Sequence, residues 1–474
     1  MNEHAEGMTQ ADRRFEPFVH LVDSTDTSVL VAWGGFFLQR CDTGWEVVDD
    51  DDLQERGRRD GGTIGATSPP YGVGVVEVLD AAGADVVASA RSHDANHVWV
   101  EGLEPDTEYR YRVVVDGRLW GEELWDWQLD RRGPTPSDRT YDLRFRTHPA
   151  NGSSVPVTFL AFGDYGVGIT NGEAGLRQQG VARTLEKLSA SHPVRFLVGL
   201  GDNIYHGAED KLAQSGDEDD DWYLTFFEPY RYLLDHLPMY PAAGNHDGSD
   251  EEASDDRQQL ADNFHLHARF QPRLESGRAS LDPGLFYALR FGALLEIVCV
   301  DTSWGEVEGV HDFENEASKR WLEGALPPGG GPDGFPAWRI PFCHHPAYCA
   351  GPHHENMKEQ IEHVVPLYRR AGVRLVLSGH EHNFQHGRVD GIDYLVSGAA
   401  GKLEEDPPTR WDDGGTMGWA STPHCLLVEV DADRIVVTPY GSTEEGGEPR
   451  PIRVLDRAGH EVDARIVLER DAPG

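Results

Sequence analysis

The chain has 474 residues, of which 39% are hydrophobic, and its 42 Lys and Arg against 82 Asp and Glu give a formal net charge of -40. The hydrophobic content excludes wholesale disorder, and the length suits two or three domains of roughly 100–200 residues each. Because the chain has no basic stripe, we expect no binding to a nucleic-acid backbone and none to an anionic membrane.

Residues 1–18 lack the apolar stretch of a signal peptide, and no apolar run reaches the roughly 18 residues of a transmembrane helix. We therefore expect a cytoplasmic protein, or a secreted one if a leader has been removed. The five cysteines are scattered and form no CxxC pair, so buried free thiols are favoured over a disulfide framework. The oligomeric state stays open.

Short apolar runs such as SVLVAWGGF and YRYRVVVDG recur between turn residues over residues 16–147, which is typical of an all-β domain. Tyr109 follows a turn at the entry to a strand, as in the tyrosine corner of a β-sandwich. Residues 49–52 and 56–62 are predicted to be a polar loop insertion, and residues 148–156 have the composition of a linker.

From residue 157 onward, strands alternate with helices, which is the mark of an α/β domain. VTFLAF and RFLVGL are predicted strands, whereas GLRQQGVARTLEKLSAS and ASKRWLEGAL are predicted helices. Residues 208–222 are expected to form a solvated acidic loop, and residues 248–285 are a candidate lid. We assign residues 157–442 to this second domain and residues 443–474 to a C-terminal extension.

Five short polar motifs each begin where an apolar strand ends. They are GDYG (163–166), GDNIY (201–205), GNHD (244–247), CHHP (343–346) and GHEH (379–382). Ligands bind beyond the carboxyl ends of the strands in an open α/β sheet, so these motifs can converge on one site. Glycine precedes the key residue in four motifs, and we expect it to allow the tight turn that projects that residue.

The motifs supply carboxylate, phenol, amide and imidazole groups that can bind metal ions. The candidate ligands are Asp164, Asp202, Tyr205, Asn245, His344, His380 and His382. This mixture suits Fe, Zn or Mn and contains too much nitrogen for a calcium site. The set is too large for one ion with an open position, so it indicates two ions with one shared carboxylate.

The order of these motifs resembles that of the calcineurin-like metallophosphoesterases and, within them, of the purple acid phosphatases. Two details favour that branch. Many metallophosphoesterases have Asp-x-His at the first motif, whereas here Asp164 is followed by Tyr165 and Gly166, and the second motif ends in Tyr205. The N-terminal segment resembles a fibronectin type III module, as in larger members of that family. The resemblance covers roughly residues 16–440. It implies a multidomain α+β and α/β chain, with an N-terminal β-sandwich followed by a four-layer α/β/β/α metallophosphoesterase sandwich.

The resemblance also implies how the ligands are divided. Fe(III) would be bound by one group, in which the tyrosine is a tyrosinate: Asp164, Tyr205 and His382. A divalent ion (Zn, Mn or Fe) would be bound by a second group: Asn245, His344 and His380. Asp202 would bridge the two ions. The positive charge left at such a centre lets an acidic chain attract a phosphate dianion.

Three further histidines, His246, His353 and His354, would contact the substrate by the same resemblance. A metal-bound hydroxide would attack the phosphorus of a small phosphoester, and one of these imidazoles would protonate the leaving alkoxide. The implied enzyme is a metal-dependent phosphoric-ester hydrolase, an acid phosphatase for phosphomonoesters.

Two alternatives stay open from the sequence. A metallophosphodiesterase acting on nucleotides or lipid headgroups can use the same centre. A non-catalytic binding protein is the third hypothesis, although every candidate ligand is present in the chain. A smaller ambiguity concerns Asp301, which ends a strand and either orients a ligand histidine or caps the turn.

Overall fold

The computed structural model describes residues 13–41, 44–47, 73–93, 95–120, 127–130, 133–136, 141–169, 171–205, 222–247, 253–275, 285–303, 316–329, 336–442 and 447–470. The predicted loop insertions at 49–52 and 56–62 lie outside these residues, and so does the acidic loop except for Trp222. The described residues divide into two units, one formed by the chain up to His148 with Tyr230–Pro238, the other by Pro149–Pro229 with the chain from Met239 onward.

The N-terminal part of the first unit is built from strands, as the recurrent apolar runs predict. They are β1 (Arg13–Ser24), β2 (Ser28–Cys41), β3 (Gly44–Val47), β4 (Gly74–Leu79), β5 (Val86–Ser92), β6 (His97–Glu101), β7 (Glu108–Val115), β8 (Arg118–Leu119), β9 (Trp127–Asp130), β10 (Gly133–Pro136) and β11 (Arg144–Arg146). One sheet has the order β1-β2-β3, with β6 also paired to β2. A second has the order β11-β7-β4-β5, with β8 paired to β7, and β9 pairs with β10.

One hydrophobic core joins residues of the two larger sheets in this unit. Val31 and Trp33 of the first sheet share it with Val76 and Tyr111 of the second, because alternate residues of each strand point to the same face. The Tyr109 hydroxyl accepts a hydrogen bond of 2.9 Å from the backbone N–H of Glu104. This bond is the backbone contact that defines a tyrosine corner.

The second unit contains the remaining strands. They are β12 (Val157–Phe162), β13 (Val194–Gly199), β14 (Met239–Pro241), β15 (Tyr287–Phe291), β16 (Leu295–Cys299), β17 (Trp338–Phe342), β18 (Leu375–Ser378), β19 (Phe384–Val389), β20 (Ile392–Ser397), β21 (Thr416–Ala420), β22 (His424–Val430), β23 (Arg434–Gly441), β24 (Arg450–Pro451), β25 (Val454–Leu455), β26 (Glu461–Val462) and β27 (Ile466–Glu469). One sheet has the order β14-β13-β12-β22-β23-β24 with β27 on β23, and the other has the order β15-β16-β17-β18-β20-β19-β21-β25-β26.

The described helices lie between these strands along the chain. They are α1 (Gly172–Ser191), α2 (Glu228–Leu234), α3 (Ala253–Asn263), α4 (Leu266–Glu275), α5 (Glu316–Ala325), α6 (Lys358–His363) and α7 (Val365–Arg370). The helices predicted before β13 and before β17 are confirmed as α1 and α5. Helices α3 and α4 form the described part of the candidate lid. No helix in the described ranges is long and apolar enough to cross a bilayer.

The helices pack on the sheets through apolar stripes. In α1, Ala174, Val181, Leu185 and Leu188 are buried at helical spacing, and the helix contacts β22 and β23. Residues of α5, α6 and α7 share a core with Val298 and other residues of the nine-stranded sheet. Each sheet is therefore covered by helices along at least part of one face.

Strand direction determines where the five motifs lie. Strands β12, β13 and β14 are parallel, so the first three motifs follow their carboxyl ends at the same edge of the seven-stranded sheet. The fourth and fifth motifs follow β17 and β18, which are parallel neighbours in the nine-stranded sheet. The site is therefore built from the ends of five strands that belong to two sheets.

The predicted C-terminal extension contributes strands to both sheets. Strands β24 and β27 pair with β23 in the seven-stranded sheet, and β25 pairs with β21 at one end of the nine-stranded sheet. The described part of residues 443–474 thus completes the sheets that carry the motifs.

Substitution of Phe196 on β13 tests the core beneath the motifs. The centre of its ring lies 4.9 Å from that of Phe159 and 4.2 Å from that of Phe291, and it stacks on both rings. We expect Phe196→Ala to destabilise the second unit by about 3–5 kcal/mol, from lost burial and the cavity left behind. Urea unfolding measures this change. The control is Val467→Ala on β27, where the side chain is 39% exposed and the cost should stay within roughly 0.5 kcal/mol. Equal midpoints for the two variants would contradict the expectation.

Candidate metal centre

One group of predicted ligands forms around Tyr205. Its hydroxyl oxygen lies 3.3 Å from Asp164 Oδ1 and 3.4 Å from His382 Nε2. His382 Nε2 is in turn 3.4 Å from Asp164 Oδ1. Three donors at such mutual distances fit around one ion, because bonds of about 2.0–2.2 Å place neighbouring ligand atoms roughly 3 Å apart.

A second group forms around Asn245. Its Oδ1 lies 2.9 Å from His344 Nε2 and 3.1 Å from His380 Nδ1, and these two nitrogens are 3.2 Å apart. The same spacing argument makes this triangle a second ion position. The amide oxygen and imidazole nitrogens suit Zn, Mn or Fe.

Asp202 contacts both groups. Its Oδ1 lies 3.3 Å from His344 Nε2, while its carboxylate belongs to a set of potential ligand atoms, with Asp164 and His382, that all lie within 4.8 Å of one another. A carboxylate in this position can bind an ion with each oxygen. The structure therefore brings all seven predicted ligands together, in the two predicted groups with Asp202 between them.

Asp164 and Asp202 are buried, so their negative charges must be stabilised by neighbouring positive groups rather than by water. Burial raises the pKa of Asp164 well above its ordinary value; His344 opposes this effect and Asp202 adds to it. Burial acts on Asp202 in the same direction, but His344 and His246 outweigh it and lower the pKa of Asp202 to about 2. Both carboxylates can be ionised together when a cation lies between them.

The three histidines are held in the neutral form that metal ligands need. Burial lowers the pKa of His344, lowers that of His380 well below its usual value, and lowers that of His382 to about 4. The Nδ1–H of His344 donates to the backbone oxygen of Leu200 at 2.9 Å. This bond sets the tautomer in which Nε2 faces Asn245 and Asp202 with a free lone pair.

The predicted role of the glycines holds at Gly201, whose φ of 89° is left-handed, but not at Gly244 and Gly379. The ligands themselves also adopt left-handed backbone, with φ of 58° at Asp164, 50° at Asp202 and 72° at His380. Gly244 and Gly379 instead provide space: an added Cβ would lie 2.1 Å from Asp202 Oδ1 and 2.6 Å from Asp164 Oδ2, respectively. The expectation of a tight turn at glycine was wrong for these two positions, because neighbouring segments, which the local sequence does not reveal, determine the packing.

Asp247, the last residue of GNHD, is a positioning residue that the sequence argument left unassigned. Its buried carboxylate accepts hydrogen bonds from the backbone N–H groups of Gly244 at 2.7 Å, Asn203 at 2.9 Å and Ile204 at 3.1 Å. Burial and Asp202 raise its pKa to about 8. Asp247 thereby ties the second motif to the third.

The three predicted substrate histidines surround these ligands. The His246 ring lies 4.5 Å from the Tyr205 ring, and the His354 ring lies 3.7 Å from that of His380. His353 is farther out, with 61% of its side chain exposed and its Nε2 paired with Glu404. His246 and His354 therefore contact the two ligand groups, whereas His353 lies at the edge.

Residues outside the predicted set also contact the site. Glu381, between the two ligand histidines, accepts the backbone N–H of His354 at 2.8 Å and lies 3.2 Å from its Nδ1. The Lys402 ammonium lies 4.6 Å from the centre of the Tyr205 ring. The GHEH motif contains Glu381, so inspection of the motif could have found it, but no sequence signal marks Lys402.

The open question about Asp301 is resolved in favour of a local role. Its carboxylate accepts hydrogen bonds from the backbone N–H and the hydroxyl of Ser303 at 3.1 and 2.9 Å, and it pairs with Arg257 of α3. The neighbouring Thr302 instead contacts His345, with its hydroxyl 3.2 Å from Nδ1. His345 forms a potential metal-binding cluster with His344 and His380, so its side chain lies close to the ligand group of Asn245.

Gly244 allows a direct test of the packing around Asp202. We expect Gly244→Ala to displace the Asp202 carboxylate and to lower the affinity for metal roughly 10–100-fold, as other losses of ligand support do. Elemental analysis during competition with a chelator measures this affinity. Gly324→Ala in α5 is the matched control, because nothing lies within 4 Å of its added Cβ. Unchanged metal affinity in the Gly244 variant would contradict the packing argument.

Comparison with known proteins agrees with this geometry. Residues 157–384 match the family described as calcineurin-like phosphoesterase. Tartrate-resistant acid phosphatase type 5 of Oryctolagus cuniculus is 25% identical over 286 residues, which are 55% of this chain and 77% of that protein.

Two solved structures share the fold over almost the whole chain. The structure of PhoD has a TM-score of 0.60 at 14% identity and covers 94% of this chain and 92% of its own. A purple acid phosphatase from yellow lupin (Lupinus luteus) seeds has a TM-score of 0.56 at 13% identity, over 93% of this chain and 74% of its own. The family match and the acid phosphatase relatives confirm the predicted enzyme class. The chain carries a calcineurin-like metallophosphoesterase domain and is a metal-dependent phosphoric-ester hydrolase.

Proposed function

We propose that the protein is an acid phosphatase with two metal ions that hydrolyses phosphomonoesters. The observation that carries this proposal is the position of Asp202, whose carboxylate reaches His344 on one side and Asp164 and His382 on the other. One carboxylate common to both ligand groups favours two adjacent ions over a single one. The similarity to tartrate-resistant acid phosphatase type 5 supports the choice of a phosphomonoester as substrate.

Tyr205 supports iron at one of the two positions. Phenolate is a ligand for ferric iron in the family that the motifs resemble, and the Tyr205 hydroxyl lies within 3.4 Å of donor atoms of both Asp164 and His382. Fe(III) would occupy this group. A divalent Zn, Mn or Fe ion would occupy the group of Asn245, His344 and His380, where the neutral amide keeps the local charge positive.

When bound, the ions supply Lewis-acid charge for the phosphate oxygens and lower the pKa of a water molecule. The protein's own residues orient the substrate. His246 and His354 lie beside the two ligand groups and would donate hydrogen bonds to the non-ester phosphate oxygens. His353, at the exposed edge, would deliver a proton to the leaving oxygen.

The substrate would be a small phosphoester in water. The charge of -40 opposes a nucleic-acid backbone and an anionic membrane, so neither is proposed as a partner. Salt screens charges beyond roughly 8–10 Å. The positive centre therefore attracts a phosphate only after that phosphate has come close to it.

We also propose the finer architecture that the sequence implied. The first unit would be a fibronectin type III-like β-sandwich, which the shared core and the hydrogen bond between Tyr109 and Glu104 support. The second would be a four-layer α/β/β/α sandwich, which the helices packed on each of its sheets support. An experimental structure whose two catalytic sheets do not pack face to face would contradict the layering.

The alternative is a phosphodiesterase that uses the same centre. We expect nitrophenyl phosphate to be hydrolysed at least tenfold faster than bis-nitrophenyl phosphate in terms of kcat/KM, because a monoester dianion gains more from the positive centre than a diester monoanion. Steady-state kinetics on the two substrates measures the ratio. Faster cleavage of the diester would replace the phosphatase proposal by the phosphodiesterase, and no cleavage of either would favour a binding protein.

The ferric position has its own test in Tyr205→Phe. The wild-type protein should contain iron and show a visible tyrosinate-to-iron absorption band, and the variant should lose that band because its ring has no donor oxygen. Elemental analysis and visible spectroscopy on the same samples measure both properties. Tyr165→Phe is the matched control, because the Tyr165 hydroxyl hydrogen-bonds to Asn203, which is not a predicted ligand. A colourless, iron-free and active wild type would overturn the ferric assignment.

A further inference from the structure

Lys402 lies in a loop that is fixed against two of the metal-binding motifs. The backbone N–H groups of Gly401 and Lys402 donate hydrogen bonds to the backbone carbonyl oxygen of Asp164 at 3.0 and 3.2 Å. Two residues later, the backbone N–H of Glu404 donates a hydrogen bond to the backbone carbonyl oxygen of His382 at 2.7 Å. The backbone position of Lys402 is thus set by the same residues that are proposed to bind Fe(III).

The side chain of Lys402 is directed at the remaining ligand of that group. Its ammonium lies 4.6 Å from the centroid of the Tyr205 ring, which is within the distance of a cation–π contact. The Tyr205 side chain is completely buried, and Lys402 itself is partly buried. Because water is largely excluded from the ring, the charge acts on it with little screening.

The other charges around Tyr205 have the opposite sign. The Asp164 carboxylate lies 3.3 Å from the Tyr205 hydroxyl, and its negative charge disfavours a negative charge on the phenol oxygen. Lys402 is therefore a positive charge placed on the side of the centre where an anionic ligand is proposed.

We propose that Lys402 weakens the electron donation of Tyr205 to the ferric ion and thereby sets the reduction potential and the colour of the centre. This inference rests on the proposed function. A cation over the ring lowers the energy of the phenolate electrons, so more energy is needed to move an electron from ligand to iron. The absorption band then lies at shorter wavelength, and the ferric state is less stabilised relative to the ferrous state.

The role assigned to Lys402 is that of a positioning residue that acts through Tyr205. It predicts a sign for each observable. Loss of the ammonium should move the band to longer wavelength and lower the reduction potential of the iron, because removing a nearby positive charge favours the more highly charged ion. An effect on substrate binding alone would change KM and leave both of these properties as they were.

The experiment compares full-length, metal-loaded wild type with Lys402→Met, Lys402→Arg and Lys187→Met, each with its iron content measured. Lys402→Met should show the longer-wavelength band and the lower potential, whereas Lys402→Arg should stay close to wild type because it keeps the charge. Lys187 lies on α1 and pairs with Glu448, so Lys187→Met makes the same change in net charge away from Tyr205 and should leave both observables unchanged.

The possible failures are distinguishable. If Lys402→Met leaves both the band wavelength and the reduction potential of the iron unchanged, the role of Lys402 is overturned while the ferric centre stays intact. An equal shift in Lys402→Arg would also overturn it, because the cause would then be packing rather than charge. A wild type without iron or colour would overturn the ferric assignment and this inference together.

Discussion

Two buried carboxylates, Asp164 and Asp202, lie close to three neutral imidazoles. The strand ends of the second unit hold these five side chains in position. Neither carboxylate has water to stabilise its charge, and Asp202 opposes the ionisation of Asp164. Bound cations resolve this conflict. The backbone of the five strand ends supports the arrangement, because Gly244 and Gly379 lie where a methyl group would collide with a carboxylate oxygen.

This constraint also reconciles the acidic chain with an anionic substrate. The net charge of -40 is distributed over the whole molecule, whereas phosphate binding depends on charges within a few ångströms of the centre. Lys402 is one of only five lysines in the sequence, and its ammonium lies on the ring of Tyr205. A single basic residue beside a buried ring can outweigh many acidic residues in water, since effective dielectric constants differ severalfold between the protein interior and water.

The sequence alone could predict which residues come together because they lie in short polar motifs that follow apolar strands. The parallel strands then bring those residues to common edges, as the positions of Asp164 and Asp202 after β12 and β13 illustrate. Contacts between distant segments were beyond reach. Neither the cation of Lys402 on Tyr205 nor the pairing of Glu404 with His353 leaves a pattern in either segment, and the steric role of Gly244 depends on Asp202 from another loop.

The strand order has a consequence for how the centre is assembled during synthesis. Strand β12, which leads to Asp164, lies between β13 and β22, and β22 is formed by His424–Val430 near the other end of the chain. A ribosome therefore releases Asp164, Asp202 and Asn245 well before the strand that completes their sheet and before the three histidine ligands. Pairing over such a sequence separation is slow. Metal uptake is therefore expected to be a late, post-translational event.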